Sequence, residues 1–156
     1  MNSPIAVPAI IVQETLAELQ TWGRRRSERI VLWLGSRTRS GIRVKMVWIP
    51  DQITGRDFFE IPRKGMQALF AALREHRLMV AAQVHTHPGR AFHSSADNEW
   101  AIVRHAGALS LVLPYFSMRT DHNAFARDAA VFVLSATNEW VQAHPINVHR
   151  FYEILP

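Results

Sequence analysis

The chain of 156 residues carries 18 Lys and Arg against 13 Asp and Glu, a formal charge of +5, and is 48% hydrophobic. This length and apolar content suit one folded domain over residues 1–156 with a real core, and they exclude a disordered chain. With no Cys present, disulfides, cysteine-ligated zinc and a cysteine nucleophile are excluded, and a cytoplasmic setting fits.

No run approaches the roughly 18 uncharged apolar residues of a membrane helix, and Met1 to Val12 lacks the basic leader of a secretory signal. No membrane partner is expected. Arg24, Arg25, Arg26, Arg29, Arg37, Arg39 and Arg43 crowd one third of the chain. They read as a solvated face rather than a nucleic-acid footprint, because no aromatic residues interleave them as a single-strand binder would need.

In chain order, Ala6–Val12 suits a short edge strand, since Pro8 has no amide donor. Leu16, Leu19 and Trp22 recur at helical spacing between Glu14 and Arg25. Ile30–Leu34 is a continuous apolar run stopped by Gly35, and Ile42–Ile49 alternates. The two form a hairpin across the polar turn Ser36–Gly41. Pro50–Asp57 reads as loop. Pro62 sits at the first turn of a helix whose stripe is Met66, Leu69, Phe70 and Leu73. Leu78–Val84 is then a buried strand. A helix between two strands implies a crossover, hence an α/β or α+β sandwich. Ala108–Leu113 and Ala129–Leu134 read as strands, Met118–Asn123 as loop and Val148–Ile154 as a last strand or helix. Thr137–Pro145 is ambiguous.

The chemistry concentrates in Val84–Trp100, V-H-T-H-P-G-R-A-F-H-S-S-A-D-N-E-W. His85 and His87, two apart at a strand end, point to one face. A tight turn at Pro88-Gly89 follows. Ser94 then caps a helix with Asp97 three residues on. H-x-H alone is more often packed core, and S-x-x-D alone is an ordinary helix start. Their order and closeness point to three protein ligands with one open position, the layout of a catalytic zinc site. Such a site also needs a proton carrier. Glu28, a carboxylate at the start of a buried strand, is the best candidate, against the plainer reading of a solvated loop residue beside Arg29.

Glu28 at a strand start, then H-T-H-P, then S-S-A-D resembles the JAMM, or MPN-plus, metalloprotease family. The resemblance runs in element order from about Glu14 to Pro114. It implies a curved mixed β-sheet flanked by helices. It also implies one zinc ion held by His85, His87 and Asp97, Glu28 as general acid/base, and Ser94 as a donor to the oxyanion, with Ser95 as the alternative. Two departures stand out. Six residues separate His87 from Ser94 where the family pattern has seven, and Val31 stands where the Glu-bearing strand commonly has Gly.

The chain is most similar to bacterial members found with ubiquitin-like conjugation operons, some linked to antiphage defence. That similarity implies a zinc isopeptidase or peptidase acting at the C-terminal tail of ubiquitin or a ubiquitin-like protein. E1/E2-like proteins of the same pathway would be further partners. The tail would lie extended beside a strand. A non-catalytic MPN-like module that binds a ubiquitin-like partner is the alternative.

Overall fold

The computed structural model describes residues 3–92 and 102–156. The molecule is a mixed α+β fold around one eight-stranded sheet, flanked by helices, as the sequence leads one to expect. The strands are β1 (Ile5–Pro8), β2 (Ile30–Thr38), β3 (Gly41–Trp48), β6 (Met79–Thr86), β7 (Leu109–Leu113), β8 (Ala130–Leu134), β9 (Trp140–Gln142) and β10 (Tyr152–Leu155). Their spatial order is β10-β1-β3-β2-β6-β7-β8-β9. A separate two-stranded ribbon pairs β4 (Ile53–Thr54) with β5 (Phe59–Glu60).

The centre of the sheet follows from its pairings. β2 runs antiparallel to both β3 and β6, so β3 and β6 are parallel to each other with β2 between them. Helix α2 (Arg63–His76) makes that crossover. β6 runs parallel to β7. A parallel pair cannot be joined by a tight turn, and the rest of the motif lies in the sequence between these two strands.

Alternation divides β2 into two faces. Val31 and Trp33 join Ile11, Val12, Leu16 and Leu19 of helix α1 (Ala9–Gly23) in the larger core. Ile30, Leu32 and Leu34 point the other way and pack with Leu69 of α2 and with Phe59 and Ile61. The period of two on a strand and of 3.6 on a helix thus gives one sheet two apolar sides, one packed against α1 and the other against α2.

Three expectations are corrected. The strand expected over Ala6–Val12 ends at Pro8, and Ile10–Val12 already belong to α1. Pro8, with φ −57° and no donor, serves as the helix N-cap. A short apolar run alone does not separate strand from helix. The turn expected over Ser36–Gly41 shrinks, because β2 continues to Thr38 and β3 starts at Gly41. The loop expected over Pro50–Asp57 contains the short strand β4. At the C-terminal end, a 3-10 turn over Pro145–Arg150 precedes β10, and the ambiguous stretch supplies β9.

Candidate metal centre

His85 is the penultimate residue of β6, and His87 follows its last residue. Both side chains leave the same face, with ring centroids 5.3 Å apart. They are 0% and 4% exposed. Phe59 of β5 lies 5.3 Å from the His85 ring, and Phe92 meets His87 edge-on at 4.4 Å. The imidazole pair therefore stands between two aromatic side chains that limit the access of water.

Ile30 of β2 pairs with His85. The ladder runs one step further. The Thr86 amide donates to the Arg29 carbonyl at 3.2 Å, and the Arg29 amide donates to Thr86 Oγ1 at 3.1 Å. The same register, carried one residue beyond these bonds, would turn Glu28 to the histidine face. Directly opposed residues of an antiparallel pair have Cβ atoms about 5 Å apart. Glu28 is 3% exposed. The carboxylate almost sixty residues before the histidines in sequence is thus buried just ahead of the strand that pairs with theirs.

The backbone around Glu28 is fastened on both sides. Its amide donates to the Gly55 carbonyl at 2.7 Å. Ser27 Oγ is 2.8 Å from Thr54 Oγ1. Arg29 Nε donates to Glu18 of α1 at 2.9 Å, and its guanidinium stacks 4.2 Å over Trp22. Beyond Leu32, which pairs with Trp48, β3 no longer covers β2. There the Gln52 side chain replaces the missing strand. Its Oε1 accepts from the Ile30 amide, and its Nε2 donates to the Ile30 carbonyl, each at 2.9 Å. A side-chain amide with one donor end and one acceptor end satisfies both backbone groups.

Gln83 shares the histidine face two residues earlier and is fully buried. Its Nε2 donates to Ser110 Oγ of β7, and its Oε1 accepts from the Ile102 amide, both at 3.0 Å. It ties the described chain after residue 101 to the same strand that carries the histidines. A polar residue inside the apolar run L-M-V-A-A-Q-V was the available sequence signal for it. Gln52, Phe59 and Phe92 had none, because their roles depend on non-local approach.

The structure sets His85 and His87 side by side and buries Glu28 just before the strand that pairs with theirs. Ser94, its alternative Ser95, and Asp97, with the helix expected to follow them, lie outside the described residues. Among the described residues there is no group of three or more possible metal ligands. The donors that are described suit a divalent metal of borderline softness: two imidazoles on one face, with a buried carboxylate one strand away. No described helix is long and apolar enough to cross a membrane.

The arginines do not form one patch. Arg24–Arg26 occupy the turn before β2, whereas Arg37 and Arg39 lie at its far end. Strand rise makes that separation roughly 30 Å. Arg25 also stacks over Trp22, at 5.0 Å.

No family model matches the chain. Its fold resembles the solution structure of protein DSY2949 from Desulfitobacterium hafniense, with a TM-score of 0.68 over 97% of this chain and 92% of that one, at 14% identity. Over 117 residues it is 32% identical to the "Probable metalloprotease y4jG" of Sinorhizobium fredii (strain NBRC 101917 / NGR234), which covers 72% of each protein. With that identity and coverage, the chain belongs to the metalloprotease family of this Sinorhizobium protein.

Proposed function

We propose that the chain is a zinc-dependent peptidase or isopeptidase of the JAMM type, acting at the C-terminal tail of ubiquitin or a bacterial ubiquitin-like protein. The observation that supports this reading is the paired course of β2 and β6, which ends with two buried histidines on one face and a buried Glu28 two residues before β2. Proton handling and metal holding need two groups of different chemistry within reach of one reacting centre. Membership of a metalloprotease family supports the reaction class. The ubiquitin-like substrate rests on the sequence motif, as do the roles of Ser94 and Asp97.

His85 and His87 would hold the ion through their imidazoles, with Asp97 as the third ligand. Bound zinc would polarise the scissile carbonyl and make a water molecule acidic near neutral pH. Glu28 would act as general acid/base, taking up a proton from the attacking water and delivering it to the leaving amine. Its burial, at 3% exposure, keeps the transfer away from bulk solvent. The Ser94 hydroxyl donates to the developing negative charge on the carbonyl oxygen. Asp97 and Ser94 follow β6 in sequence and Glu28 precedes β2, so the reading draws the site from two parts of the chain.

Metal analysis combined with cleavage of a ubiquitin-like fusion tests this. Wild type should hold one Zn2+ per chain and cleave. Glu28→Ala should keep the metal and lose about 10²–10⁴-fold in rate, the range for a general acid/base. Asp97→Ala should lose the metal. A Glu28→Ala variant as active as wild type, or active protein without metal, would refute the mechanism. Full metal without cleavage in wild type would favour a binding module.

A further inference from the structure

His87 lies one residue beyond the end of β6, yet both of its backbone groups are bonded. Its amide donates to the Leu113 carbonyl at 3.0 Å, and its carbonyl accepts from the Phe116 amide at 2.8 Å. The Tyr115 amide donates to the Gly89 carbonyl at 2.9 Å. The chain leaving β7 therefore replaces the strand neighbour that His87 has lost.

It does so in an unfavourable conformation. Tyr115, Phe116 and Ser117 have φ of 54°, 53° and 59°. Three successive non-glycine residues stand in the left-handed region, each at a cost of about 1–2 kcal/mol. Such backbone persists only where its surroundings over-determine it. An ordinary turn here would carry the Phe116 amide away from the His87 carbonyl.

The surroundings that impose it belong to α1. Gln20 Nε2 donates to the Ser117 carbonyl at 3.2 Å and to the Thr120 carbonyl at 2.8 Å. At Gly23, the last residue of the helix, a Cβ would collide with the Phe116 carbonyl oxygen. The turn is thus held by two donor bonds from one helical turn and pressed against a position that admits no side chain. Phe116 and Ser117 are both buried.

We propose that Gln20 and Gly23 are positioning residues. Through the left-handed turn Tyr115–Ser117 they fix the main chain of His87, and with it the aim of the imidazole. The inference rests on the reading of His87 as a metal ligand. It places part of the site's precision on the opposite side of the sheet, in a helix that contributes no ligand.

Two measurements on the full chain test it, one without metal. In metal-free protein, Gln20→Ala should speed amide exchange at Phe116 by roughly tenfold or more, because that bond reports local opening. With Zn2+ as the probe, and Co2+ for its visible spectrum, the same variant should lose roughly tenfold in affinity, about 1.4 kcal/mol, and change the Co2+ bands. Gly23→Ala should act in the same direction. Gln20→Lys, which keeps a donor at that reach, should restore both. Val12→Ala, a core truncation in the same helix, should lower the melting temperature and change neither readout.

Unchanged Phe116 exchange in Gln20→Ala overturns the brace. So does an equal effect in Val12→Ala, which would make the role merely structural. So too does unchanged Zn2+ affinity once the amide has been loosened. A wild-type chain that takes up no Zn2+ overturns the metalloprotease reading instead, and the exchange result alone then decides the brace.

Discussion

The two faces of β2 and β6 are built from the same strands and do opposite work. On the α1 side, alternate residues Val31, Trp33, Ala82 and Val84 meet the helix in a large apolar core. Its buried Thr15 is matched, donating to the Ile11 carbonyl at 2.7 Å and accepting from Trp33 Nε1 at 2.9 Å. On the α2 side the core is smaller and gives way, towards one end, to Gln83, Glu28, His85 and His87. Burying so many polar groups on one face is costly unless each has a partner. The larger opposite core supplies the stability that lets this face hold chemistry. One residue of register shift would exchange the two faces, so the metal centre and the main core are specified together.

That contrast can be broken most sharply from the site side. His85→Asn keeps much of the volume and removes the predicted ligand. Cleavage should fall to background and Zn2+ affinity should collapse, while the unfolding midpoint moves little. A variant that retains both would place the chemistry elsewhere. The converse is Trp33→Ala, which should cost about 3–5 kcal/mol of stability and leave the Zn2+ affinity of the folded protein intact. Lost affinity at full folding would show that the faces are not separable.

A smaller effect sharpens the description of the apolar face. Tyr152 is buried against Trp33 and Phe125, with ring centroids at 6.1 and 6.5 Å. Its hydroxyl has no hydrogen-bond partner among the described residues. Burial pushes its phenol well above the usual tyrosine range. Tyr152→Phe should therefore be neutral or stabilising by about 1 kcal/mol in denaturant titration. A clear loss of stability would show that the hydroxyl is satisfied in solution.

The smallest effect lies at the end of the short helix α3 (Phe125–Asp128). A bond from Arg127 holds the Asp128 carboxyl below the ordinary carboxylate range. Burial opposes this, and Thr120, donating at 2.9 Å, assists it. Because the folded form is the more acidic, the stabilisation is complete above the unfolded carboxylate pKa and disappears as pH falls through the folded value. Asp128→Asn should flatten that acid limb by less than about 1 kcal/mol, since the pair is near the surface. An unaltered acid limb would place the dependence in other carboxylates.

The elements of the sheet's centre were legible because their patterns are local. Ile30–Leu34 is continuous, Ile42–Ile49 alternates, and the stripe Met66–Leu73 has the helical period. The common face of His85 and His87 followed from a spacing of two. Glu28 was legible as a carboxylate at the start of a buried strand, but nothing in E-R-I-V-L-W-L-G announces a register with a strand fifty residues later. The parallel pairing of β1 with β10, Ile5 beside Tyr152, has no local signature. Nor does the use of Gln52 as a strand substitute. Pro8 misled because a residue without a donor fits a strand edge and a helix start equally well.

The strand order has a consequence for self-association. The long strands, β2, β3 and β6, are all interior to the sheet, while its outermost members are β10 with four residues and β9 with three. Long strand edges template pairing with other chains, and brevity at the rim is one way proteins blunt them. The apolar run Ile30–Leu34 of β2 would be adhesive if exposed. Placing it inside the sheet lets the fold keep that segment without offering it to another copy.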